Sequence, residues 1–132
     1  MPDRSRFDGR GIGDPTAAWY NTLFHELVHW SGAAHRLDRP AGRVASAQYG
    51  FEELVAEIGS AFMMAALGIP NMPAHSYAGY VANWLQALKD DKRFIFKAAA
   101  EAGRAAEYLL AFEAVEMAAG TDDAAAAMAL TG

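Results

Sequence analysis

Apolar residues recur along this chain with the period of a helix, and no stretch shows the alternation of a half-buried strand. From Pro15 to Ser31, the residues Trp19, Leu23, Leu27 and Trp30, joined by Val28, fall on one stripe. Asp14 suits the cap of that helix, Pro15 its first position, and Gly32 a left-handed stop. A second stripe, Phe51, Leu54, Ile58, Phe62 and Ala65, predicts a helix over about 49–67 that Gly68 and Pro70 end. Tyr77, Tyr80, Val81, Trp84 and Leu88 predict a third over about 76–89. Asp90 or Asp91 can cap a fourth over about 92–113, where Gly103 is a mild weak point.

The segments between and beyond these helices are irregular. Residues 1–13 carry Gly9, Gly11 and Gly13 among charges and read as an extended lead-in, and 32–47 read as a loop. Residues 114–132 are alanine-rich and low in complexity, so they are expected to fray. The expected architecture is mainly α: one small domain over 1–113 with about four helices, its sheet reduced or missing, and a tail.

Composition narrows the chemistry. A chain of 132 residues that is 53% hydrophobic can bury one modest core. Its net charge of −5, with basic residues scattered along the sequence, argues against a general phosphate-binding surface. There is no cysteine, which excludes disulfides and thiolate metal sites, so a metal would have to be held by His, Asp or Glu. The polar start Met1-Pro2-Asp3-Arg4 is unlike a secretory signal, and no apolar run approaches the roughly 18 residues of a membrane span. A cytoplasmic protein without direct nucleic-acid or membrane binding is therefore expected.

The chemistry concentrates in His25-Glu26-Leu27-Val28-His29. Residues four apart on a helix share a face, with Cβ atoms about 5–6 Å apart, which lets two imidazoles reach one ion through bonds of about 2.0–2.1 Å. Glu26 then sits beside the ion without binding it. From there it can take a proton from an attacking water and pass it to a leaving amine. The apolar stripe lies on a different face, so the helix can bury its core side and still present both histidines to a Zn²⁺ ion.

Two third ligands compete. His25-Glu26-x-x-His29-x-x-Gly32-x-x-His35 has the metzincin spacing, in which a glycine lets the chain swing a third imidazole to the ion. That arrangement also needs a methionine turn, for which Met72 is the loop candidate, since Met63 and Met64 lie within a helix and read as core. Alternatively Glu53 completes a two-histidine, one-glutamate site, and Glu57, one turn on, accepts the free N–H of a ligand histidine. A donor for the oxyanion is also required, and His75, Tyr77 and Tyr80 are the candidates. Trp19, Trp30 and Trp84 are most simply core.

Several stretches together carry a family resemblance. They are Trp19-Tyr20-Asn21-Thr22-Leu23-Phe24-His25-Glu26-Leu27-Val28-His29-Trp30-Ser31-Gly32, Arg36-Leu37-Asp38-Arg39, Phe51-Glu52-Glu53-Leu54-Val55-Ala56-Glu57-Ile58-Gly59, and the run from Tyr80 to Arg93. Over about residues 1–110 the chain resembles the C-terminal domain of ArdC-type antirestriction proteins, to which plasmid TraC primases are related. The resemblance implies a zincin-like metallopeptidase domain on mobile DNA, with zinc-dependent hydrolysis of a protein or peptide. The alternative is a non-catalytic antirestriction or interaction module that keeps a structural metal.

The resemblance also bears on the open choices. Family members commonly have serine where this chain has His35, which favours Glu53 as third ligand. They usually carry an N-terminal single-stranded-DNA-binding domain and a further strand-containing segment ahead of the region matched here. Zincins usually lay substrate along a sheet edge, so a partner domain or a second copy of the chain is expected to supply that sheet.

Overall fold

The computed structural model describes residues 1–7, 14–43, 46–70 and 78–130, with the backbone alone for 78–83 and 113–130. Among the described residues a 3-10 turn at Arg4–Arg6 precedes four helices: α1 (Pro15–Ser31), α2 (Ala47–Ala66), α3 (Ala78–Asp90) and α4 (Phe94–Leu130). Among the described residues there is no strand, so the fold is mainly α, as the sequence predicts. No helix among them is long and apolar enough to cross a membrane.

Local chemistry sets the helix ends. The Asp14 carboxylate accepts from the Thr16 N–H at 3.0 Å, and Pro15 opens α1. Ser46 caps α2 by accepting from the Tyr49 N–H at 3.1 Å. In the turn just ahead of α4, the Asp91 carboxylate accepts from the Arg93 N–H at 2.9 Å. At the end of α2 Gly68 takes φ +67°, with the Gly68 N–H bonded to Ala65 O and the Ile69 N–H to Met64 O. That double bond pattern around a left-handed glycine returns the last carbonyls of the helix to donors.

Gly32 behaves differently from expectation. It is right-handed, at φ −78° and ψ −6°, and the left-handed residue of this loop is Asp38 at φ +51°. Space rather than handedness calls for glycine at 32: a Cβ there would lie 2.9 Å from Nη2 of Arg39.

Helix α2 is central, packing against α1 and α4 and touching α3. Because it is flanked on two sides, its deepest face is the one that admits close approach. Val55, Ala56, Gly59, Ser60, Met63 and Met64 are buried there, while Leu54 and Ile58 are half-buried and Phe62 and Ala65 are exposed. The predicted stripe is thus rotated away from the true core. The same holds in α1, where Ala17, Phe24 and Val28 are buried and Trp30 is 43% exposed, which removes Trp30 from the expected core. Helix α4 contributes Ala98, Ala102, Ala105, Ala106 and Leu109, a face short enough to bring its backbone close to α2.

The α4 backbone runs on to Leu130, past the Glu113 boundary where the tail is expected to fray. Alanine has the best intrinsic helix propensity, so an alanine-rich run continues a helix that is already nucleated.

Candidate metal centre

Helices α1 and α2 meet so that three side chains from two elements point at one place. His25 and His29, one turn apart on α1, bring their Nε2 atoms to 3.0 Å of each other. Glu53 of α2 closes the triangle, with Oε1 3.2 Å from Nε2 of His29 and Oε2 3.4 Å from Nε2 of His25. Donors held tetrahedrally at about 2.0–2.1 Å from one ion lie about 3.3 Å apart, close to the His25–His29 separation and to the distance of each Glu53 oxygen from its own histidine. The convergence also suits a cation chemically. Two imidazole nitrogens and a carboxylate present lone pairs to a common point, which a single proton can satisfy only for one pair at a time.

The outward nitrogens are held as well. Nδ1 of His25 lies 3.0 Å from Oε1 of Glu57, and Nδ1 of His29 lies 3.3 Å from Oε1 of Glu52. Glu52 is 4% exposed and is gripped by Arg39, whose Nη2 and Nε donate to its two oxygens at 2.9 and 3.1 Å. A cleft of about 630 Å³ opens beside the cluster, lined by Glu26, His29, Trp30, Glu53 and the loop from Gly32 to Gly42.

This geometry accompanies a clear family match: the family model described as zincin-like metallopeptidase matches residues 1–101. The chain belongs to that family.

The chain is 41% identical over 114 residues to the DNA primase TraC of Escherichia coli, covering 86% of this chain and 7% of that protein. It is 44% identical over 93 residues to the uncharacterized protein y4eC of Sinorhizobium fredii, covering 70% of this chain and 30% of the other. The crystal structure of antirestriction protein ArdC from plasmid R388 in its Mn(II)-bound form superposes with a TM-score of 0.64 at 50% identity, over 72% of this chain and 36% of ArdC. Its metal-free form gives a TM-score of 0.60 at 51% identity. The chain thus spans only a minor part of each of these proteins. The resemblance to ArdC-type proteins read from the sequence agrees with these matches.

In the zincin-like domain, electrostatics follow the geometry. Burial works against a charged imidazolium at His25, yet the Glu57 hydrogen bond and the Glu57, Glu53 and Glu26 charges outweigh it and hold His25 above its ordinary pKa. Burial likewise pushes Glu52 up, but its bonds to His29 and Arg39 prevail and hold it below the ordinary carboxylate range.

The structure brings His25, His29 and Glu53 into one group and leaves His35 out of it, exposed on the loop after α1. Glu57 stands at His25, and Glu26 is exposed at the cleft. Met72, His75 and Tyr77 lie outside the described residues; Tyr80 falls in α3, and its side chain lies outside them too.

The sequence reading missed Glu52 and Arg39. A signal for Glu52 existed: it shares the small-residue face of α2 with Val55, Ala56 and Gly59 at helical spacing, a face set aside in favour of the larger Leu and Ile side chains. Arg39 carried no such pattern, since only the fold of the loop brings it to Glu52.

Proposed function

We propose that this chain is a zinc-dependent peptidase domain acting on a protein or peptide in the cytoplasm, in an antirestriction or mobile-element setting. The observation that carries this reading is the convergence of His25, His29 and Glu53 beside a cleft that Glu26 also lines. His25, His29 and Glu53 would hold Zn²⁺, for which a set of two imidazoles and one carboxylate is a usual catalytic complement. Bound there, the ion supplies Lewis acidity, which makes a water more acidic and polarises a carbonyl. The Mn(II)-bound structure of ArdC, a protein similar to this chain, supports a divalent cation in this reading.

Glu26 is the general base. Its neighbours on α1 fix it one residue from His25, and its exposure at the cleft leaves it free to meet substrate and solvent. It removes a proton from the attacking water and delivers it to the departing amine nitrogen, so one carboxylate serves both halves of the reaction. An ion held only for structure has no use for an open carboxylate at this spot, which favours hydrolysis over a purely structural site.

The test is peptide-library cleavage by zinc-loaded protein beside its Glu26→Gln variant, with the metal content of both measured. The expected result is equal zinc in the two and cleavage reduced by about 10²-fold or more in the variant. Equal cleavage by both, or none by either, would overturn the peptidase reading.

A further inference from the structure

Arg39 is 7% exposed, and its guanidinium meets four acceptors: both oxygens of Glu52, the Ser31 hydroxyl at 3.1 Å, and the Val28 carbonyl. At the end of α1 the Gly32 N–H turns to His29 O, and the Val28 carbonyl accepts instead from the Ser31 hydroxyl at 2.6 Å and from Arg39. Oε1 of Glu52 is shared between Nη2 of Arg39 and Nδ1 of His29. One buried cation therefore reaches both the end of the helix carrying His29 and the carboxylate that faces its ring.

We infer that Arg39 and Glu52 act as a positioning pair that orients the His29 ring and selects the tautomer of the neutral imidazole, with the proton on Nδ1 and the Nε2 lone pair turned toward Glu53 and His25. This rests on the metal reading above for its purpose, but not for its geometry. The chemistry follows from counting donors. Arg39 has only N–H groups to offer, so whatever occupies position 52 must turn acceptors to it. A carboxylate has an acceptor left for His29, which must then donate from Nδ1. In the neutral ring Nε2 then keeps its lone pair, as metal binding requires, against the pull of Glu53 Oε1 at 3.2 Å and His25 Nε2 at 3.0 Å, which would each accept a proton there. The contact is not reproduced by an amide. In Glu52→Gln the single carbonyl oxygen is claimed by the guanidinium, the NH₂ faces His29, and Nδ1 must accept. The ring proton then moves to Nε2, into the donor triangle.

The experiment compares metal-free wild type, Glu52→Gln, and the double variant Arg39→Met with Glu52→Gln, in which no cation claims the amide oxygen. The imidazole tautomer of His29 is read by ¹⁵N-resolved NMR at about pH 8, and Zn²⁺ affinity by competition titration. The expected wild-type state is the Nδ1–H tautomer. The single variant is expected to show the Nε2–H tautomer and about 10–100-fold weaker zinc binding. The double variant is expected to return to Nδ1–H and recover about tenfold of that affinity.

A merely structural ion pair would lower the melting temperature and leave the tautomer alone. Retention of Nδ1–H in Glu52→Gln, with zinc affinity within about twofold of wild type, would overturn the inference. Should wild type take up no zinc, the metal reading fails, and the tautomers still decide the role of the pair.

Discussion

Gly59 and Val28 meet where α2 crosses α1. A Cβ built on Gly59 would fall 2.8 Å from Cγ2 of Val28, closer than real side chains approach. Val28 precedes His29, and Gly59 lies two residues beyond Glu57, so this contact sets the distance between the helices that carry the metal-site residues. Gly59→Ala gains about 1 kcal/mol of helix propensity and must overcome overpacking of about 1–3 kcal/mol. The expected net result is a lower melting temperature and weaker zinc binding. Gly103 is the control, since nothing described lies within 4 Å of its Cβ position; Gly103→Ala should raise the melting temperature. Parallel thermal melts decide, and equal shifts in both variants would refute the account.

The third-ligand assignment separates cleanly by mutation. Glu53 stands within the donor triangle and His35 does not. Glu53→Ala should lose bound zinc during dialysis, whereas His35→Ala should retain about one equivalent, as measured by mass spectrometry of the metal content. Loss of zinc in the His35 variant alone would reverse the assignment.

Acid should release the metal early. A ligand histidine must be neutral to bind, and His25 holds its proton above the ordinary value of 6.5 in the metal-free protein. Protons therefore compete from higher pH than at an unperturbed histidine, and apparent zinc affinity should begin to fall before about pH 6.5 is reached. Glu57→Gln removes the strongest of the contacts that raise it, so the acid limb should move to lower pH. Affinity titrations across the range check both points.

Asp91, in the turn ahead of α4, makes a second pH prediction, from a pKa shift in the opposite direction. Lys97 and the Arg93 N–H hold Asp91 down to about 2, from an ordinary value of 3.8. A carboxylate depressed by folding contributes stability above its unfolded pKa and loses it as pH falls through the folded one. Asp91→Asn should lower the urea midpoint at neutral pH, and the gap to wild type should close between about pH 4 and pH 2. A gap that persists unchanged in that range would contradict a stabilising role for the Asp91 contacts with Arg93 and Lys97.

Much of this was legible in the sequence. The Asp14 cap, the Gly68 stop and the His25–His29 spacing depend on neighbours within a turn or two, and such local rules leave few alternatives. The core faces were not legible, because hydrophobicity alone ranks Leu and Phe above Gly, Ala and Ser, while a helix clasped on two sides buries what lets its neighbours approach. Arg39 was beyond reach for a related reason: its partners are fixed by a loop whose path depends on the packed helices.

The donor triangle has a mechanical side too. It joins α1 to α2 across a loop of about two dozen residues in a chain that has no cysteine. An ion held by His25, His29 and Glu53 would tie that loop as a crosslink does, removing on the order of 3 kcal/mol of entropy from the unfolded chain. Metal supply would then set how much of this protein survives in a cell, apart from any reaction it performs.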